Sequence, residues 1–218
     1  LIGGTSALSS GVTDDLDDLG ISYERIWGVD RYETANKIAE RVVIAAIASG
    51  GFRGTAFFAR GDAFPDALAV GPVAAQAVAP IFLVQSTSLP GSVESTLDTL
   101  GVKRGYVIGG ETAVSAGTQS AIDAVLTANG GTEAPTTRWE GENRYETAVA
   151  VVNGGLTQRW IDLDTLGVAT GTNFPDALGG GAALGYYGSG LVLTPGDSMQ
   201  PAVAAFMVAH QYEIGRLD

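Results

Sequence analysis

Arg25-Ile-Trp-Gly-Val-Asp-Arg-Tyr-Glu-Thr-Ala35 comes back as Arg138-Trp-Glu-Gly-Glu-Asn-Arg-Tyr-Glu-Thr-Ala148, 113 positions on (25 to 138). Around this stretch other echoes keep the same order. Gly61-Asp-Ala-Phe-Pro-Asp-Ala-Leu68 recurs as Gly171-Thr-Asn-Phe-Pro-Asp-Ala-Leu178, 110 positions on (61 to 171). Ile81-Phe-Leu-Val84 is matched by Leu191-Val-Leu-Thr194, and Ile2-Gly-Gly4 by Ile108-Gly-Gly110. A period of roughly 110 residues is a small domain rather than a solenoid unit. The 218 residues hold about two periods, cut out of phase. Residues 1–20 read as the tail of a preceding repeat, 21–133 as a complete repeat, and 134–218 as a further repeat that stops before its own Gly-Gly turn. The chain reads as a piece of a longer one, with no signal peptide at its start.

Within the complete repeat, short apolar runs alternate with helical patterns. Arg25–Trp27 is expected as a strand. Asp30-Arg-Tyr-Glu33 forms a capping box, repeated at Asn143–Glu146, and opens a helix to about Ala48. Thr55–Ala59 is a second strand. Pro65 and Asp66 suit the first turn of a buried, Ala/Val-rich helix. Ile81–Val84 is a third strand. A helix over Gly91–Leu100, a strand over Tyr106–Ile108 and a helix over Val114–Ala128 complete the unit. This alternation implies tandem Rossmann-like α/β subdomains, with parallel sheets flanked by helices and right-handed crossovers. No Gly-x-Gly-x-x-Gly follows a strand, which argues against a dinucleotide site.

The chain is 45% hydrophobic and 17% charged, a core-forming composition. Its formal net charge of −12 opposes nucleic-acid binding and docking on anionic membranes. With no Cys and one His, thiolate metal sites, disulfides and a Cys nucleophile are excluded, and any Ser-His-Asp set must use His210. No cofactor and no resident metal are expected. The uncharged run Ala67–Val84 contains Gly71, Pro72, Gln76 and Pro80, and reads as a buried helix and strand rather than a membrane span. Asp14-Asp-Leu-Asp-Asp18 reads as a solvated helix face.

The four motifs in order resemble the cell wall-binding repeat 2 family over nearly the whole chain, twice over. The resemblance implies a non-catalytic module, usually in tandem threes about a pseudo-threefold axis. It would hold secreted or surface proteins, including surface-layer proteins and partners of wall amidases, on bacterial cell walls. It implies an extracellular location, neighbouring repeats as packing partners and a wall glycopolymer, often anionic, as ligand. Its Pro-Ile-Leu-Leu-like element is Pro80-Ile81-Phe82-Leu83 here, and Gly190-Leu-Val-Leu193, without the proline, in the second copy.

Candidate ligand-binding residues follow from chemistry. Arg31, Arg144, Arg25 and Arg138 offer planar forks for phosphate or carboxylate, or else each pairs within its own subdomain with an acid such as Asp66 or Asp176. Asp66 and Asp176 would bind a bridging cation or simply favour a helix start. Tyr32 and Tyr145 would stack on sugars or belong to the core. The Gly-Gly turns present backbone amides to an anion or serve as tight strand-to-helix turns. A net charge of −12 repels an anionic polymer at long range, so Arg clusters, bridging cations or a neutral glycan remain open. Two rival readings stand beside wall anchoring. One is a self-assembling surface layer or appendage, with helix faces such as the Ala/Gly-rich Pro175–Tyr187 in contact and a homo-oligomer as the product. The other is a glycosidase using Asp62 and Asp66, weakened because Asp62 becomes Thr172 in the second copy.

Overall fold

The computed structural model describes residues 1–133 and 135–217. The acidic run lies on α1 (Ser10–Asp18), which buries no residue. Asp30 accepts the backbone N–H of Glu33, while the Glu33 carboxylate accepts the N–H of Val29, and this box opens α2 (Arg31–Ala48). Then follow β1 (Thr55–Arg60), α3 (Pro65–Gln76), β2 (Ile81–Val84), α4 (Gly91–Leu100), β3 (Arg104–Ile108) and α5 (Ala116–Ala128). The second period supplies β4 (Thr136–Trp139), α6 (Arg144–Thr157), β5 (Thr165–Thr170), α7 (Pro175–Tyr187), β6 (Gly190–Thr194), α8 (Pro201–Ala209) and β7 (Arg216–Leu217). The α/β alternation and parallel sheets expected from the sequence are present.

All pairings between these strands are parallel. One sheet has the order β2-β1-β3-β4 and the other β6-β5-β7. Ala56, Phe57, Phe58 and Ala59 are wholly buried, as befits a strand covered on both faces. Phe57 faces the junction of the two lobes, where its ring lies 5.4 Å from Tyr106 and 5.8 Å from both Trp139 and Trp160. Phe58 faces the opposite cluster and stacks on Phe82.

Two details differ from the sequence expectation. The helix expected from Val114 begins at Ala116, because Ser115 caps it by accepting the N–H of Thr118. Arg25–Trp27 forms no strand; only Ile26 pairs, in a parallel bridge to Ile2. Its counterpart β4 has all of β3 to lie against, whereas Ile26 meets only the short Leu1–Ile2 segment. The pairing is nonetheless the same, since Ile108 opposes Trp139 as Ile2 opposes Ile26. The first strand of a sequence period therefore completes the sheet of the period before it.

The lobes meet head to tail. Helix α3 lies between α6 and α7, with Val73 against Gly155, and Pro72 and Ala75 against Gly185. Gln76 donates from Nε2 to the Gly185 carbonyl at 2.6 Å. The Ala/Gly-rich character of α7 permits this approach.

Candidate functional site

The repeated motifs hold equivalent positions in both lobes. Arg25 donates to the Gly3 carbonyl at 2.8 Å, and Arg138 to the Gly109 carbonyl at 2.6 Å. Arg138 also donates to the Val114 carbonyl and to Gln119, so its fork is occupied in holding the Gly-Gly turn. Arg31 donates to the Gly61 carbonyl and Arg144 to the Gly171 carbonyl. Tyr32 and Tyr145 pack beneath these same glycines, and both touch the hydrophobic core. Guanidinium groups thus tie the turns at strand ends to backbone carbonyls, and none of the four hydrogen-bonds to Asp66 or Asp176.

The Pro80–Leu83 element divides. Pro80 and Phe82 are buried, while Ile81 and Leu83 are half-buried. Ile81 borders a groove of about 480 Å³ between α2 and α3, together with Ile38, Val42, Ala75 and Val78. The counterpart of this groove in the second lobe is filled by α3.

One polar crevice, of about 210 Å³, is built by both lobes. Its first wall comes from strand ends of the leading sheet: Arg60 at the end of β1, Asp66 in the first turn of α3, and Gly109-Gly110 after β3. In the order β2-β1-β3-β4 the chain turns opposite ways after β1 and after β3, so their C-terminal ends leave the opening that α/β sheets use for ligands. The second wall is the entry to α6, Gly141–Arg144, capped by Asn143 on the N–H groups of Tyr145 and Glu146. Gly109 has φ +96°, and a side-chain carbon there would sit 2.6 Å from Asp66 Oδ2, so only glycine keeps the crevice open.

Asp66 and Arg144 are brought together here; Arg31 and Asp176 are not. Burial pushes the Asp66 carboxyl up to about 6, against the opposing pull of the Arg144 and Arg60 charges. Asp62 behaves oppositely. It is bound by Arg60 and held down to about 2, and it stands exposed. Arg60 escapes a search for repeated motifs because its counterpart is Thr170.

The raised Asp66 carboxyl has a signed consequence. The folded state holds the proton more tightly than the unfolded chain, so stability falls as pH rises from about 4 to 6 and stays lower above. Asp66→Asn is expected to remove that slope and to gain about 2 kcal/mol at pH 7.5. Urea titrations at pH 4.5 and 7.5 check this; an equal effect at both pH values contradicts it.

The two motif-bearing segments, residues 25–119 and 138–215, each match the family model described as cell wall binding domain 2 (CWB2). The chain belongs to that family. As a CWB2 tandem it is of a binding-module type. It is 29% identical over 199 residues to N-acetylmuramoyl-L-alanine amidase LytC of Bacillus subtilis (strain 168), covering 91% of this chain and 36% of that protein. It is 28% identical over 204 residues to the amidase enhancer of the same organism, covering 94% and 25%. The chain thus spans about a third or less of these relatives. Among solved structures, Cwp8 from Clostridium difficile superposes with a TM-score of 0.77 at 24% identity, over 99% of this chain and 34% of that one. Cwp6 from the same organism gives 0.71 at 21% identity, over 84% and 27%. These two likenesses establish a shared CWB2-type fold. No helix among the described residues is long and apolar enough to cross a membrane.

Proposed function

We infer that this chain is a non-catalytic module that anchors a secreted or surface protein, outside the cell, to a bacterial cell wall glycopolymer. The observation that carries the reading is the two-lobed crevice, where Arg60 and Arg144 flank Asp66 beside the Gly109-Gly110 turn. Arg144 and Arg60, the latter shared with Asp62, stand among Asp66 and Glu142 and offer planar N–H donors to a phosphate or carboxylate of the polymer. The carboxylates do not form a glycosidase pair in this reading, because Asp62 is engaged by Arg60.

Co-sedimentation with isolated Gram-positive cell walls tests it. The chain is expected to pellet with walls, and the double variant Arg60→Ala/Arg144→Ala to bind about tenfold more weakly with a shallower salt dependence. Loss of binding on adding a chelator assigns the contact to bridging cations. A folded chain that stays in the supernatant at every salt and divalent-ion concentration overturns the reading.

Self-assembly is the second reading, and the open α2–α3 groove favours it. Ile38 of α2 and Val78 after α3 border it, and each is 37% exposed. The groove matches the cleft that α3 fills in the second lobe, so another copy could continue the head-to-tail contact. A concentration-dependent shift in size-exclusion elution would distinguish it from a monomeric glycan binder.

A further inference from the structure

Phe64 and Phe174 occupy equivalent places in the two lobes, and the fold makes little use of either. Each is the N-cap residue of its helix, α3 or α7, and neither makes a side-chain capping bond. By contrast, Asp30, Ser115, Asn143 and Gln200 cap α2, α5, α6 and α8 through their side chains. Phe64 and Phe174 both have right-handed helical backbone angles, from which a side chain does not cap, and a phenylalanine there leaves apolar surface in water. The two residues are 37% and 49% exposed. Packing of α3 on α7 brings them together across the lobe boundary, with centroids 5.8 Å apart and planes at 61°. This edge-to-face arrangement leaves outward-facing aromatic surface. Polar groups close to the rings in the chain stand exposed: Asp62, Thr172, Asn173 and Asp176. Ala63 and Pro65, the chain neighbours of Phe64, line the crevice with Arg60, Asp66 and Arg144.

We propose that the Phe64–Phe174 pair is a stacking platform for one sugar ring of a wall glycan, adjoining the polar crevice that takes a charged substituent. The proposal rests on the wall-binding reading and adds a subsite to it. A pyranose has an apolar C–H face and a hydroxylated edge. Laid on the rings, its face leaves water while its hydroxylated edge stays solvated and a charged substituent reaches the crevice. An aromatic face beside a crevice lined by Arg60, Asp66 and Arg144 suits a carbohydrate with a charged substituent better than an apolar helix, which has no group to offer those side chains.

The test uses the full chain, with isolated Gram-positive walls and soluble tetra-N-acetylglucosamine as probes. Phe64→Ala and Phe174→Ala are each expected to weaken wall binding about five- to tenfold. Phe64→Tyr should retain it. Phe64→Ser, with its thermal unfolding followed in parallel, separates binding from folding: the half-exposed ring is lost, so affinity should fall while the unfolding midpoint stays within a few degrees of wild type. In NMR spectra the tetrasaccharide should shift the ring signals of both phenylalanines. Wild-type binding with undiminished binding by the Ala and Ser variants overturns the platform and leaves the wall-binding reading standing. A wild-type chain that does not bind walls at all overturns both. Variants that alter self-association but not wall binding mark the rings as a protein contact and also overturn the platform.

Discussion

Phe57→Ala is expected to lower stability by about 3–5 kcal/mol and the thermal midpoint by about 10 °C. The ring has no exposure and lies within 6 Å, centroid to centroid, of Tyr106, Trp139 and Trp160. Tyr106 and Trp139 belong to the same sheet as Phe57, while Trp160 follows α6 in the second lobe, so the cavity opens where the lobes join. The site cannot collapse easily, because four aromatic rings meet there at fixed tilts. The counterpart in the second lobe is Gly167, over which Leu184 folds instead. Differential scanning calorimetry measures the loss; a change below about 1 kcal/mol would show that this cluster does not hold the junction.

Gly185→Leu is the second large effect. A side-chain carbon at Gly185 would stand 2.9 Å from the Ala75 methyl and 3.5 Å from the Pro72 Cα, so a leucine must force α7 off α3. The separation also breaks the Gln76 bond to the Gly185 carbonyl. Overpacking and the lost bond together are expected to cost about 3 kcal/mol. Gly179 lies on the same helix with nothing within 4 Å of a side-chain carbon. Gly179→Leu is therefore expected to stay within about 0.5 kcal/mol of wild type. Guanidinium titrations of the two variants make the comparison; equal losses would mean that the α3–α7 seam does not set the effect, since helix propensity alone favours leucine over glycine at both positions.

The alternation of elements was legible because strands and helices here are short, strongly patterned and separated by Gly, Pro or a capping side chain. Asp30 and Asn143 announce their helices, and both cap as their chemistry requires. The echo of Arg-Tyr-Glu-Thr and Phe-Pro-Asp likewise announced equivalent surroundings: each motif arginine donates from Nη1 to a turn-glycine carbonyl in both lobes, and Arg138 adds bonds to Val114 and Gln119. Partnership was harder to read. Motif arginines were candidates for a ligand, yet each spends a donor on a backbone carbonyl, an acceptor that carries no residue-type signal. The crevice joins Arg60, Asp66 and Gly109 of one period to Arg144 of the next, a neighbourhood created by sheet order rather than by spacing. Arg60 was invisible for a simpler reason, since a residue without a repeat counterpart carries no periodic signal.

Strand β4 belongs to one period by covalent order and to the other by hydrogen bonding, with four residues in register against β3. The lobes are consequently lapped like roof tiles instead of strung like beads. Tension entering one lobe passes to the next through paired backbone and interlocked rings as well as through the peptide link. A tandem made this way transmits load without a slack hinge, and dividing it at the boundary of its sequence repeat would tear an edge from one sheet.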